Sequence, residues 1–453
     1  MRKKIDLQCK IKFGINNDQK VITDHQLKYN KIDELLEKKF SILDIVHGDL
    51  KNLGTESGQL SRFTTDHLFR SILIRHIERL SYRNLIIRIN DSMFFRNFTH
   101  LGMAPIMGYS LVETAEKLIQ PSTWEKINLI LSNFAITAKL ITGDLFRLDS
   151  TVTESNIHFP TDSSLLWDCY RTISRIMTNS HKEHSYIPYS YRFNTIKVKA
   201  LHTFVSTRCS AKKKSVKRKV RESLLTMLDR VATANTKAES FIAAFPESCG
   251  MTDELKRVVE LSKKIVKQIT LVHVDKVPVK GNQKIYSIFE EHTELLMRGK
   301  SNKPTEFGHL VSLGQTAEKF ISYYKVEEKS QHDTVHKKIA LDDHNALFGD
   351  YPKAFTADKN YYESMDDIEE LEEIIDLVAI GKKGRRTAQE EEREHSLAFR
   401  MMQRFRAGCE GTISVLKRAY GLKRCLLKGY KSFASLIGTI VFCHNAVLLS
   451  RLT

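Results

Sequence analysis

The sequence lacks the patterns of three common protein classes. Its seven cysteines, Cys9, Cys169, Cys209, Cys249, Cys409, Cys425 and Cys443, form no CxxC pair and no CxxC/HxxxH set. That excludes a disulfide framework and the usual structural zinc site, and it fits a reducing cytoplasm. The basic N-terminus, MRKKIDLQCKIKFG, lacks the apolar stretch that a secretory signal needs. Only residues 433–450 are apolar enough to raise a membrane span, and His444 and Asn445 interrupt them, so a buried helix is expected and no membrane partner.

At 453 residues and 42% hydrophobic content, the chain can bury a real core, and its length predicts two or three domains. Lys and Arg number 71 against 54 Asp and Glu, a formal net charge of +17. Such an excess favours a polyanion, nucleic acid first, although ribosome-associated, membrane-surface and merely soluble basic proteins share it.

The first third is poor in strand-like alternation and reads as helical, with apolar residues at helical spacing in TTDHLFRSILIRHIERL and YRNLIIRI. Ser81 is placed to cap a helix through Leu85, Ile86 and Ile89, and Asp91 and Ser92 to start another through Phe94, Phe95 and Phe98. The pair fits a helix-turn-helix in which Arg83, Arg88 and Arg96 meet phosphate or bases, and it fits equally a helical bundle with solvated arginines.

From Gly143 the pattern changes. In LFRLDSTV, Phe146, Leu148 and Val152 alternate with Arg147, Asp149 and Thr151, as in a strand with one buried face. KIYSIF (284–289), FISYYKV (320–326), AFTAD (354–358) and LVAI (377–380) read as further strands of a mixed α/β sheet. Between the first two lies a helical stretch, about 165–278, with Leu255, Val258, Val259, Ile265 and Ile269 on one face. Upstream run Lys212, Lys213, Lys214, Lys217, Arg218, Lys219 and Arg221, a solvated face or a phosphate-tracking one.

Three carboxylates occupy positions where a fixed backbone presents them outward. Asp149 shares the polar face of its strand with Thr151. Asp358 ends AFTAD, where ligands of α/β sheets gather, and Asn360 then offers a residue tolerant of left-handed backbone. In RFRAGCEGTISVLKRAYGL, Arg406, Glu410 and Lys417 fall within about 40° of one another on a helix, beside an apolar seam. Gly408 and Gly411 flank the glutamate at a cost of roughly 1 kcal/mol each, which lets another backbone or DNA come close. Gathered carboxylates need neutralising cations, and hard divalent ions suit oxygen donors. Two Mg²⁺ about 4 Å apart serve phosphodiester chemistry. Taken singly, each acidic residue is more often a surface group.

The run DSTVTESNIHFPTDSSLL from Asp149 resembles the D-[ST]-T-V-x-E-[TS]-N-I-H-[YF]-P-T-D-S segment of a group of bacterial insertion-sequence DDE transposases. KIYSIFEEHTELLMRGKSNKPTEFGH (284–309) and FTADKNYY are similar to that group's middle blocks, and RFRAGCEGTISVLKRAYGLKRC to its last, R-x3-E-x6-K at Arg406, Glu410 and Lys417. The blocks stand in the family's order from Asp149 onward. Gln403 stands where a tyrosine is frequent and Asn360 where a glycine is common.

The resemblance implies a ribonuclease-H-like catalytic domain over 141–453 behind a helical DNA-binding region over 1–140. It implies a metal-binding catalytic triad of Asp149, Asp358 and Glu410 with two Mg²⁺ ions, Mn²⁺ substituting, and cut-and-join chemistry on double-stranded DNA by a nucleoid-associated bacterial homo-oligomer. Arg406 and Lys417 would hold phosphate. His158 and Asp162 would adjust metal or substrate, or stabilise a hairpin. Glu306 and His309 would lie close outside the ligands, and Trp167 would stack on a flipped base or fill the core. A non-catalytic DNA-binding regulator, or a nuclease that cuts without joining, is the competing expectation.

Overall fold

A computed structural model describes residues 3–5, 19–53, 61–183, 192–244, 250–297 and 304–452. Cys9, Cys249 and positions 298–303 of the second resembling block lie outside them. The described residues form an α/β protein with 16 helices and an open, mixed six-stranded sheet. The chain divides into two compact units, residues 1–154 with 309–453, and residues 155–308.

The first unit holds most of the sheet. β1 (Leu145–Glu154) runs parallel to β5 (Ala354–Ala357), and β5 parallel to β6 (Leu377–Ala379). On the other side of β1 stands β3 (Thr305–Gln315), whose later half pairs antiparallel with β4 (Ile321–Val326). Phe146, Leu148, Phe355 and Ala357 face Ala340 and Leu341 of α12 (Asp333–Phe348). Leu145 and Ala354 face Phe399, Met402 and Phe405 of α15 (Leu397–Ala419). Both faces are therefore covered, as parallel strands require. The one-buried-face expectation for β1 is corrected: Arg147 and Thr151 are buried too, because a helix takes the place of solvent.

Where the sequence reading separated 1–140 from the sheet, the structure joins them. α16 (Tyr430–Leu452) packs on α7 (Pro121–Thr137), α1 (Lys20–Lys38), α3 (Thr65–Ile77) and β4. Phe442 meets Trp124 and Phe69 at ring-centroid distances of 6.0 Å each. α16 is long and apolar enough to cross a membrane, yet 83% of its most apolar window is buried inside the protein, as in a core helix. His444 and Asn445, which interrupt its apolar run, are buried and bonded: Asn445 Oδ1 accepts from Ile321 N and its Nδ2 donates to Ile321 O.

α4 (Tyr82–Asp91) and α5 (Met93–Phe98) begin where their caps predict, with Ser81 and Ser92 accepting from Asn84 N and Phe95 N.

The second unit is helical. α8 (Asp162–Glu183), α9 (Thr195–Arg208), α10 (Lys214–Ala244) and α11 (Gly250–His273) pack around a core that includes Leu255, Val258, Val259, Ile265 and Ile269. β2 (Glu294–Met297) pairs antiparallel with the first residues of β3. KIYSIF is not a strand: Ile285 N donates to Gln268 Oε1, Tyr286 OH donates to Gly281 O, and Ile288 joins the helical core. Its alternation records burial against helices.

Candidate active site

The β1–β5 register ends at Leu148↔Ala357; Asp149 follows within β1 and Asp358 just beyond the end of β5, so both stand at the same end of the paired strands. Side chains two apart share a face, which puts Asp149 with Arg147 and Asp358 with Thr356, on the side that α15 covers. Beyond Asp358 the chain turns through one 3₁₀ turn, Lys359–Tyr361. Asn360 lies inside it with ordinary right-handed backbone, so the left-handed turn expected there is corrected. Its Oδ1 accepts from Lys383 Nζ instead.

α15 starts at Ser396, whose hydroxyl accepts from Phe399 N. From it Arg406 reaches between two carboxylates, with Nη1 3.8 Å from Asp149 Oδ2 and Nη2 3.8 Å from Glu410 Oε1. Asp149 is mostly covered while the Glu410 side chain is 70% exposed, so the cluster opens to solvent on the glutamate's side. Asp149 Oδ1 accepts from Ser150 N at 2.7 Å. Gln403 ties α15 to the sheet, donating from Nε2 to Ala379 O at 2.7 Å while its Oε1 accepts from Arg406 Nε at 3.3 Å. Lys417 follows two turns beyond Glu410, about 10 Å along the helix. Burial pushes the thiol of neighbouring Cys409 up to about 12, so it is a packing group.

Arg147 is the residue that the strand pattern did not single out. Its guanidinium donates to Phe405 O at 2.8 Å and Gln315 Oε1 at 3.0 Å, and lies over the Phe405 ring. Burial holds it below the ordinary guanidinium value. A methyl at Gly408 would overlap its Nη1, so this glycine admits Arg147 and not a DNA strand; nothing stands within 4 Å of a methyl at Gly411.

The expected DNA contacts divide. Arg83 and Arg88 are exposed and lie over the rings of Tyr109 and Phe95. Arg96 is spent inside the fold, donating to Gly102 O and Ala104 O at 2.9 Å each. Lys217 and Arg218 are exposed on α10. Residues 155–308 hold 27 Lys and Arg against 15 Asp and Glu, which gives this unit +12 of the chain's +17.

Within the helical unit, His158 Nε2 stands 3.3 Å from Asp168 Oδ2, Asp162 pairs with His273 at 2.7 Å, and Trp167 is half-buried and parallel to the His202 ring. Glu306 is buried, and His309, in the sheet unit, is enclosed against Tyr430 and Phe433.

Among the described residues, one trio of potential ligands has its atoms within 4.8 Å: Asp33, Glu37 and His100. A guanidinium already serves it, because Arg70 contacts Asp33 and Asp66 at 2.7 Å each and His100 Nδ1 lies 2.6 Å from Asp66 Oδ2. Burial would raise Asp66 and lower His100, yet the ion pairing prevails: Asp66 is lowered and His100 raised. That is a neutralised packing network, and Glu37, Asp66, Arg70 and His100 of it line a small cavity.

No family model, no curated protein and no solved structure matches the chain.

Proposed function

We propose that the chain is a DDE transposase, cutting DNA at the ends of an insertion sequence and joining the freed 3′-hydroxyl to target DNA. The observation that carries this reading is the parallel register that ends just before Asp149 and Asp358, together with Arg406 of α15 lying 3.8 Å from both Asp149 and Glu410. The strand arrangement supports a ribonuclease-H-like domain. An antiparallel pair, β3 and β4, flanks a parallel trio, with helices on both faces and the helical unit following the first strand.

The donor set fits hard divalent ions, since all three groups are carboxylates and no thiol or imidazole ligand joins them. Among the described residues the oxygens of Asp149, Asp358 and Glu410 do not all lie within 4.8 Å of one another, so ions and DNA would have to draw them together. Mg²⁺ or Mn²⁺ held by Asp149, Asp358 and Glu410 would supply the charge that activates a water or 3′-hydroxyl and stabilises the leaving oxygen.

The protein's own part is placement. The two strands fix two carboxylates, α15 fixes the third, and Arg406 orients Asp149 and Glu410 until phosphate competes for its guanidinium. Lys417 offers a second positive charge for the DNA backbone on the same helix, and Arg83, Arg88, Lys217 and Arg218 add exposed ones.

The test incubates the protein and its Asp149→Ala variant with Mg²⁺ and labelled duplex carrying the sequences that flank its own gene. Metal-dependent 3′-hydroxyl nicks and joined products from the parent alone are expected. Nicks without joining would make it a nuclease, and specific binding without cutting would make it a DNA-binding regulator.

A further inference from the structure

We propose that Arg147 is a positioning residue for this site, wedged between β1 and α15 so that the helix can set Glu410 and Arg406 over Asp149 in one register only. The inference rests on the catalytic reading of Asp149, Asp358 and Glu410.

Arg147 lies two residues before Asp149 on the same strand face, and it is buried. Among the described residues no carboxylate pairs with it. Its hydrogen bonds go to Phe405 O, in the middle of α15, and to Gln315 Oε1 at the end of β3. A buried cation bonded only to neutral acceptors is costly unless its location is useful. Here it bridges three elements around one point. Phe405 O lies just before Arg406, and Gly408 is where the guanidinium enters the helix surface.

The geometry gives the wedge its selectivity. Sliding α15 by one residue in either direction would bring a side chain, Ala407 or Cys409, to the notch that Gly408 leaves open. The planar fork reaches a backbone carbonyl and a side-chain oxygen at once, which an ammonium cannot do in the same way. Gly408 is two residues from both Arg406 and Glu410, about 200° around the helix from each, so the guanidinium grips α15 on the side away from them and fixes the rotation that points Arg406 at Asp149.

The test is a double-mutant cycle with Arg147→Ala, Gly408→Ala and both, plus Arg147→Lys, read in three ways. Gly408→Ala is expected to slow cleavage at least tenfold and to raise the Mn²⁺ concentration for half-maximal cleavage several-fold, with DNA affinity unchanged. Arg147→Lys should recover part of the loss seen in Arg147→Ala. In the Arg147→Ala background, Gly408→Ala should lower the melting temperature much less than it does alone, because the group it collides with is gone. Additive melting shifts, or single variants with parental metal dependence, would overturn the wedge. If the parent neither cleaves DNA nor binds Mn²⁺, the catalytic reading fails and the positioning role falls with it. Because the melting cycle needs no activity, it still shows whether Arg147 and Gly408 are coupled.

Discussion

The two units solve different problems. The sheet unit balances its charges, with 44 Lys and Arg against 39 Asp and Glu, and buries polar groups in quantity, among them Arg70, His76, Glu116, Arg147, His344 and His444. The helical unit carries a large positive surplus on exposed helix faces and buries fewer charged side chains, Asp168, Glu290 and Glu306 among them, beside a core of Met227, Val231, Leu255, Ile265 and Ile269. Buried charged groups fix side chains in unique positions, which the proposed site of three carboxylates would need, while a cationic surface attracts a polyanion without needing fixed geometry. Stability of the sheet unit should therefore follow packing and pH, and DNA affinity should follow the charge of the helical unit.

The largest effect on that contrast should come from Phe442→Ala. It removes a fully buried ring from between Trp124 and Phe69, and should cost about 3–5 kcal/mol in chemical denaturation. Each unit holds one of the two tryptophans, Trp124 and Trp167, so fluorescence of a Trp167→Phe background reports on the sheet unit. A loss below about 1 kcal/mol there would mean that α16 is not part of this core.

Acid should come next. Burial holds His344 and His444 down to about 4 from an ordinary 6.5, although each ring bonds a backbone carbonyl, Gly143 O and Lys319 O. Their folded values lie below the unfolded one, so the unfolded chain takes up protons first. Their stabilisation is complete above about pH 6.5 and is lost as pH falls toward 4, by up to about 3 kcal/mol for each ring. Denaturation midpoints at pH 7 and pH 5 measure this, and replacing His444 by Gln should flatten the dependence. Equal midpoints would break the contrast.

A smaller effect is expected from charge. Replacing Lys213, Lys217, Arg218 and Lys219 by Gln should weaken DNA binding tenfold or more and reduce the slope of log affinity against log salt by up to about 3.6, near 0.9 per phosphate contact. The same change at Lys51, Lys329, Lys338 and Lys353, exposed in the sheet unit, should alter the slope by less than about 1. Equal slopes would assign the DNA surface to both units. The smallest effect is local: Thr64→Ala removes the cap of α3, whose Oγ1 accepts from His67 N, at about 1 kcal/mol.

Local patterns in the sequence were legible and long-range ones were not. The caps at Ser81 and Ser92 and the strands at β1, β4, β5 and β6 follow from near neighbours. The common stripe of Arg406, Glu410 and Lys417 follows from helical spacing alone. The register of β1 on β5 links residues about 209 apart in sequence, as in Asp149 and Asp358, and no local spacing encodes it. Arg147 was read as outward-facing because alternation cannot show that a helix covers the second face. β3 was not singled out because its later half is buried on both sides and does not alternate. KIYSIF alternates, but against helices.

Mn²⁺ binding tests the central claim most directly. Electron paramagnetic resonance titration of the parent should show bound Mn²⁺, and Asp149→Asn and Asp358→Asn should each weaken it at least tenfold, because both carboxylates are ligands in the proposed site. Parental binding in both variants, with loss instead in Asp33→Asn, would place the metal in the N-terminal network of Asp33, Glu37 and His100 and contradict the account.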